Sequence, residues 1–226
     1  MNDILYTLSV WALPVIIAVT FHEAAHGWVA WKLGDETAYR LGRVTFNPLK
    51  HIDPFGTILL PALLFLSRMP FVLGYAKPVP VNFRALRHPR RDSVLVALAG
   101  PGTNIALALA SAVLVHGAAL VPAAAGPWLT ENLTNSILVN LVLAVFNMLP
   151  IPPLDGGRVA VGLLPRALAR PLARLERHGL LILIGLLFLL PWLSRSLGYD
   201  VNILAWVIWR PVVALFGLVT RLTGLA

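Results

Sequence analysis

The chain has 226 residues, of which 58% are hydrophobic and 12% charged, and it contains no cysteine. A soluble domain carries about 25% charged residues; here the apolar residues are gathered into long runs, which excludes an ordinary soluble domain and leaves an integral membrane protein. The net charge of +8 comes from Lys and Arg lying between apolar runs, the pattern of cytoplasmic loops rather than of a nucleic-acid surface, and without cysteine any metal must be held by His, Asp or Glu.

Ile4 to Leu33 predicts one helix, stopped at Gly34-Asp35 and open to a kink at Pro14. Asp3 and no basic residue precede this run, so no cleavable signal peptide is expected. Tyr39 to Pro48 is polar and β-prone. Phe55 to Leu73 is apolar but interrupted by Pro61, Arg68 and Pro70. Gly74 to Asn82, GYAKPVPVN, cannot be helical and predicts extended backbone or an edge strand. Ser93 to Val121 predicts a second membrane helix and Ser136 to Leu149 a third, followed by a loop from Pro150 to Gly157. A further helix starts near Arg158. Gly179 to Leu193 and Val201 to Val219 are the last hydrophobic stretches, the second interrupted at Arg210-Pro211. The predicted fold is an all-α polytopic membrane protein with about five transmembrane helices, a re-entrant or interfacial segment and a short β element near the active site. It is read as a single membrane-embedded domain over 1–226, with its motif-bearing core at about 4–165 and C-terminal helices at about 179–219.

The basic residues set an orientation. Lys32, Arg40, Arg43 and Lys50 follow the first helix; Lys77, Arg84, Arg87, Arg90 and Arg91 precede the second; Arg166, Arg170, Arg174 and Arg177 precede Gly179. Val121 to Ser136 has no Lys or Arg. These loops are therefore predicted to be cytoplasmic, with the N-terminus outside. Phe55 to Leu73 then has cytoplasmic flanks on both sides, which fits a re-entrant segment better than a crossing.

Inside the first apolar helix stands His22-Glu23-Ala24-Ala25-His26. Two His four apart share one helix face and can share one metal ion, and the Glu beside the first can act as general base on a metal-bound water. Ionisable groups at membrane depth mark functional sites. A catalytic zinc takes three protein ligands, and Asp155, alone between apolar helices, is the best third candidate, although Pro-Leu-Asp-Gly by itself also fits a turn with a capping Asp. Gly156 and Gly157 would let backbone pack closely at the site. Predicted chemistry is zinc-dependent hydrolysis within a membrane, with Glu23 taking the water proton and passing it to the leaving amine.

HEAAHGWVAWKLGD, RLGRVTFNPLKHIDPFGT, ALAGPGTN and NMLPIPPLDGGRV together resemble the site-2 protease family of intramembrane zinc metalloproteases, from about Phe21 to Val159. The resemblance is to the compact bacterial branch without a PDZ-like insertion, in which the HExxH helix is the first hydrophobic segment. It implies His22, His26 and Asp155 as ligands of one Zn2+, Glu23 as base, and Asn147 near the catalytic centre, either donating a hydrogen bond to the oxyanion or substrate backbone or serving as helix-to-helix glue. His51 and Asp53, in a family-like block, are read as outer partners of a ligand or as loop and cap residues. Asn104 is read as helix packing, His88, His116 and His178 as interfacial, and the Trp residues as interface anchors.

The implied activity is hydrolysis of peptide bonds in or near transmembrane segments of another membrane protein, in a multi-pass cell-membrane protein with its active site towards the cytoplasmic side. An extended substrate would pair with the edge formed by Val79, Pro80, Val81 and Asn82. A zinc-binding transporter and a catalytically silent membrane scaffold are the alternatives; the first predicts metal flux without need of Glu23 and often shows an inverted repeat, of which none is apparent, and the second has no need of a general base beside a metal ligand.

Overall fold

The computed structural model describes residues 2–59, 63, 76–198 and 205–225. The first helix, α1 (Asn2–Lys32), has 31 residues. At 1.5 Å per residue it is about 46 Å long, enough to cross a hydrocarbon core of about 30 Å with room at both ends. It stops at the Gly34 signal. Gly34 adopts a φ of 111°, and the Asp35 N–H turns back to the Ala30 carbonyl at 2.9 Å, a termination that a side chain at position 34 would strain.

A short helix, α2 (Thr37–Arg40), leads to a 3₁₀ turn at Pro48–Lys50 and a π-type turn at Pro54–Leu59. Of Phe55 to Leu73, residues 60–62 and 64–73 lie outside the described residues, and the expected re-entrant segment lies there with them. Residues 76–82 have no regular secondary structure, and no strand occurs among the described residues. Pro78 and Pro80 have no N–H to place in a ladder, so isolated hydrogen bonds fix this segment instead of a sheet. Gly74 and Tyr75 of the same stretch are outside the described residues.

The second long helix, α3 (Pro89–Val115), opens with Pro89 in its first turn, where a missing N–H costs nothing. Asp92 accepts the His88 N–H at 2.8 Å. A 3₁₀ turn, His116–Leu120, extends the helix. The third, α4 (Gly126–Asn147), begins well before the predicted Ser136. Its early turns are polar in sequence but not in environment: Asn132, Asn135 and Ser136 are buried, and the Asn135 amide donates to the Val10 carbonyl of α1 at 3.1 Å. Polar residues satisfied by a neighbouring helix thus read as loop in a hydropathy scan.

Asp155 to Gly157, expected in a loop, form the first turn of α5 (Asp155–Leu163). There follow α6 (Arg166–Arg174), α7 (Gly179–Ile184), a π turn at Gly185–Leu189 and α8 (Leu190–Ser196). A second π turn, Ala205–Trp209, runs into α9 (Arg210–Thr223). Among the described residues four stretches are long and apolar enough to cross a membrane: Ile4–Lys32, Pro89–Leu120, Gly126–Asn147 and Trp206–Thr223. About five were expected. Gly179 to Leu193 runs without interruption through α7, the π turn and α8, and is not among those four.

The helices α1, α3 and α4 pack on one another, with α5 against α3 and α9 against α4 and α3. Two rows of residues spaced by four form the α1–α3 contact. On α1 the row is Ala18, His22, His26 and Ala30; on α3 it is Val96, Gly100 and Asn104, all buried. They run antiparallel, Ala18 opposite Asn104 and Ala30 beside Val96. Rows of i, i+4 residues are the ridges by which helices interlock. Beyond Asn104 the α3 row continues as Ala108 and Ala112, which cluster with Ile137, Leu141, Val212 and Val219.

Candidate metal centre

The two imidazoles lie on the buried face of α1 with their Nε2 atoms 3.0 Å apart. The other nitrogen of each ring is spoken for. His26 Nδ1 lies 2.7 Å from the Val96 carbonyl, which can only accept, so Nδ1 carries the proton. His22 Nδ1 lies 2.6 Å from Asn104 Oδ1. The Asn104 amide donates to Asn140 Oδ1 at 2.8 Å and to the Ala18 carbonyl at 3.3 Å, which makes Oδ1 the acceptor for His22 Nδ1–H. Both Nε2 atoms therefore present lone pairs.

Asp155 completes the cluster. Its Oδ2 lies 3.2 Å from His22 Nε2 and 3.3 Å from His26 Nε2, is buried, and receives no hydrogen bond. Three lone-pair donors facing each other repel unless a cation sits between them. Zinc bound tetrahedrally at about 2.0–2.1 Å sets its ligand atoms about 3.3 Å apart, and the observed triangle fits. Among the described residues, this is the grouping of His and acidic side chains able to hold a metal ion.

The route by which Asp155 arrives differs from a capping turn. Leu154 is the residue before α5 and no side chain caps the helix; the carboxylate turns to the rings instead. Gly156 and Gly157 make this possible through backbone contacts of their own. A Cβ on Gly156 would overlap the Met148 carbonyl, and one on Gly157 the Pro152 nitrogen, so both allow α5 to fold back on the chain just before it. The glycine that faces the two imidazoles is Gly100. A Cβ there would stand 2.5 Å from His22 Cε1 and from His26 Nε2.

Glu23 lies beside the triangle. Its Oε2 accepts the Val79 N–H at 2.7 Å, which leaves Oε1 for a proton. Val79 and Val81 line a cleft of about 190 Å³ together with Glu23, His26, Asn147 and Asp155. Pro80 and Asn82 stand apart from it: Asn82 donates its N–H to Asp35 Oδ2 at 2.6 Å. Asp35 is fully buried and also accepts from Thr37 N at 2.9 Å. Two carboxylates, Glu23 on α1 and Asp35 just past its end, thus hold this segment at Val79 and at Asn82. Arg43 adds a third clamp by donating to the Lys77 carbonyl at 2.8 Å.

Asn147 is the last residue of α4 and reaches the cleft, with one amide hydrogen given to the Leu143 carbonyl at 3.0 Å. His51 and Asp53 are not brought to the ligands. His51 Nε2 contacts the Thr45 carbonyl at 2.9 Å, and Asp53 Oδ1 accepts from Phe55 N and Gly56 N at 3.0 and 2.7 Å, a cap on the turn that follows. Asn104 and the Val96 carbonyl orient the imidazoles instead. The spacing of Val96, Gly100 and Asn104 by four could have signalled that face, since it repeats the spacing of His22 and His26.

Residues 121–191 match the pattern described as peptidase family M50. The chain is 40% identical over 198 residues to "Putative zinc metalloprotease YwhC" of Bacillus subtilis, covering 83% of this chain and 86% of that protein. It is 32% identical over 182 residues to "Putative zinc metalloprotease Rip2" of Mycolicibacterium smegmatis, covering 80% and 66%, and 30% identical over 194 residues to the protein of the same name from Mycobacterium tuberculosis, covering 85% and 70%. No solved structure matches the chain. With a His-His-carboxylate triangle, a glutamate beside it, apolar helices around both and relatives of this similarity, the chain belongs to peptidase family M50, the site-2 protease family of zinc metalloproteases.

Proposed function

We propose that His22, His26 and Asp155 hold the catalytic zinc and that Glu23 is the general base for hydrolysis of peptide bonds in or near transmembrane segments of other membrane proteins. The observation that carries this is the convergence of two imidazole lone pairs and an undonated carboxylate oxygen within 3.3 Å, beside a glutamate. A zinc ion bound there supplies Lewis acidity to a peptide carbonyl and to the attacking water. Glu23 takes a proton from that water on Oε1 and returns it to the leaving amine, while the Val79 N–H keeps its carboxylate from rotating away. Asn147, at the rim of the cleft, has a second amide hydrogen to offer the substrate carbonyl oxygen.

A transmembrane helix must unwind before its peptide bond can enter, because its carbonyls and amides are engaged. The segment from Val79 to Asn82 supports a pairing narrower than its whole length. Pro80 has no N–H, Glu23 and Asp35 occupy those of Val79 and Asn82, and among the described residues Val81 keeps both backbone groups unpaired. Substrate backbone therefore pairs at Val81, next to the cleft. The Lys and Arg residues of the loops that follow the first helix and precede the second support a cytoplasmic orientation for this end of the molecule in a cell membrane.

The test compares wild type with Glu23→Gln in reconstituted membranes. The expected result is loss of cleavage by about 10²–10⁴-fold with bound zinc unchanged. Equal cleavage by both would remove Glu23 from the mechanism. Substrate helices carrying Gly, Pro or Asn near the scissile bond are expected to cleave faster than uniform Leu helices, and indifference to those residues would contradict the unwinding step.

A further inference from the structure

Beside the catalytic cleft lies a second cavity of about 240 Å³. Phe83, Pro152, Val161 and Ala173 contribute apolar walls, and the Arg158–Glu176 pair is the charged part of its lining. The two spaces share a partition, since Phe83 and Arg158 line both. The Arg158 guanidinium lies 4.5 Å from the centre of the Phe83 ring and donates to Glu176 Oε1 at 2.9 Å, so the partition is held from two sides. An apolar cavity of about 150 Å³ already accommodates a benzene ring; this one is large enough for a bulky side chain.

Its placement follows from α5. Asp155 on that helix reaches the metal triangle, while Arg158 and Val161 line the second cavity. A rise of 1.5 Å per residue puts them about 4.5 and 9 Å further along the axis. An extended peptide advances about 3.3 Å per residue, so the cavity lies within about three residues of a peptide bond held at the triangle.

We propose that this cavity is a specificity subsite taking one large apolar side chain, Phe, Trp or Leu, of a substrate within three residues of the scissile bond, with Phe83 and Arg158 as the wall that side chain passes. It rests on the proteolytic reading. A small residue, Ala173, leaves the α6 wall short.

The chain's lack of cysteine permits a test that does not depend on turnover. Single cysteines are placed in the Glu23→Gln protein at Ala173→Cys, at Val81→Cys in the cleft, and at Leu181→Cys, 69% exposed on the outer surface. The probe is a single-span Leu/Ala peptide with an Asn-Gly break and one cysteine moved through the positions flanking it. Ala173→Cys is expected to form a disulfide with one probe position at least about tenfold above Leu181→Cys, and Val161→Phe is expected to suppress it. In protein with Glu23 intact, Val161→Phe should lower cleavage of a probe bearing Phe at that position about tenfold more than cleavage of the Ala probe. Cross-linking at Val81→Cys with none at Ala173→Cys above the Leu181→Cys level would overturn the subsite and leave the proteolytic reading standing. Cross-linking at neither would overturn both.

Discussion

One row of α3 passes through two different environments. Its inner half, Val96, Gly100 and Asn104, faces the imidazoles; its outer half, Ala108 and Ala112, faces Ile137, Leu141 and Val212. Burial is the same in both, since Asn104 and Ala108 are each 0% exposed. What differs is the kind of constraint. The inner half is fixed by two hydrogen bonds to ring nitrogens and by the missing side chain at Gly100, the outer half by volume alone. In a bilayer, lipid tails are as apolar as the cluster, so the outer half is held by close packing rather than by exclusion from water. Substitutions in the inner half should therefore be read in metal binding, and substitutions in the outer half in stability.

The sharpest test of that division is Gly100→Ala. The added methyl meets both rings at 2.5 Å, and the rings cannot yield without breaking the bonds to Asn104 and Val96. Zinc content of the purified protein should fall to near zero while circular dichroism keeps its helical signal; normal zinc content would erase the distinction. In the outer half, Leu141→Ala should cost about 2 kcal/mol, the low end of core truncations because lipid offsets part of the lost burial. Zinc per folded chain should stay at the wild-type level, and a drop in it would show the halves to be coupled.

Asn104→Leu sharpens the inner half itself. Removal of the acceptor for His22 Nδ1–H frees that ring to turn, and loss of such outer partners costs about 10–100-fold in metal affinity. Competition with a chelator measures it, and unchanged affinity would make Asn104 a packing residue only. The smallest effect belongs to Asp35→Asn, which replaces a charged acceptor of the Asn82 N–H by a neutral one. About 1 kcal/mol of local protection should be lost, read as faster amide exchange at Asn82 with zinc binding intact.

The same contrast explains what the sequence discloses. His22, Glu23 and His26 are legible because the spacing of four is a property of the helix they occupy, and Asp155 because a lone carboxylate between apolar runs needs a partner. The Val96 carbonyl leaves no trace in sequence, since every residue has one. Asn104 looks like any polar residue in a membrane helix until His22 is seen opposite it. The start of α4 is hidden because Asn132 and Asn135 are polar residues buried by a neighbour. The side chains of His51 and Asp53, in a block that resembles the family's, bond within their own loop: similarity to a motif does not say which atoms a side chain meets.

The central claim is that His22, His26 and Asp155 form one zinc site. The most direct measurement is the metal content of detergent-purified protein, comparing wild type with His22→Ala and Asp155→Asn. About one zinc per chain in wild type, lost or sharply weakened in both variants, is the predicted result. Wild type that is folded yet holds no zinc after reconstitution, or Asp155→Asn that binds it unchanged, would contradict the site.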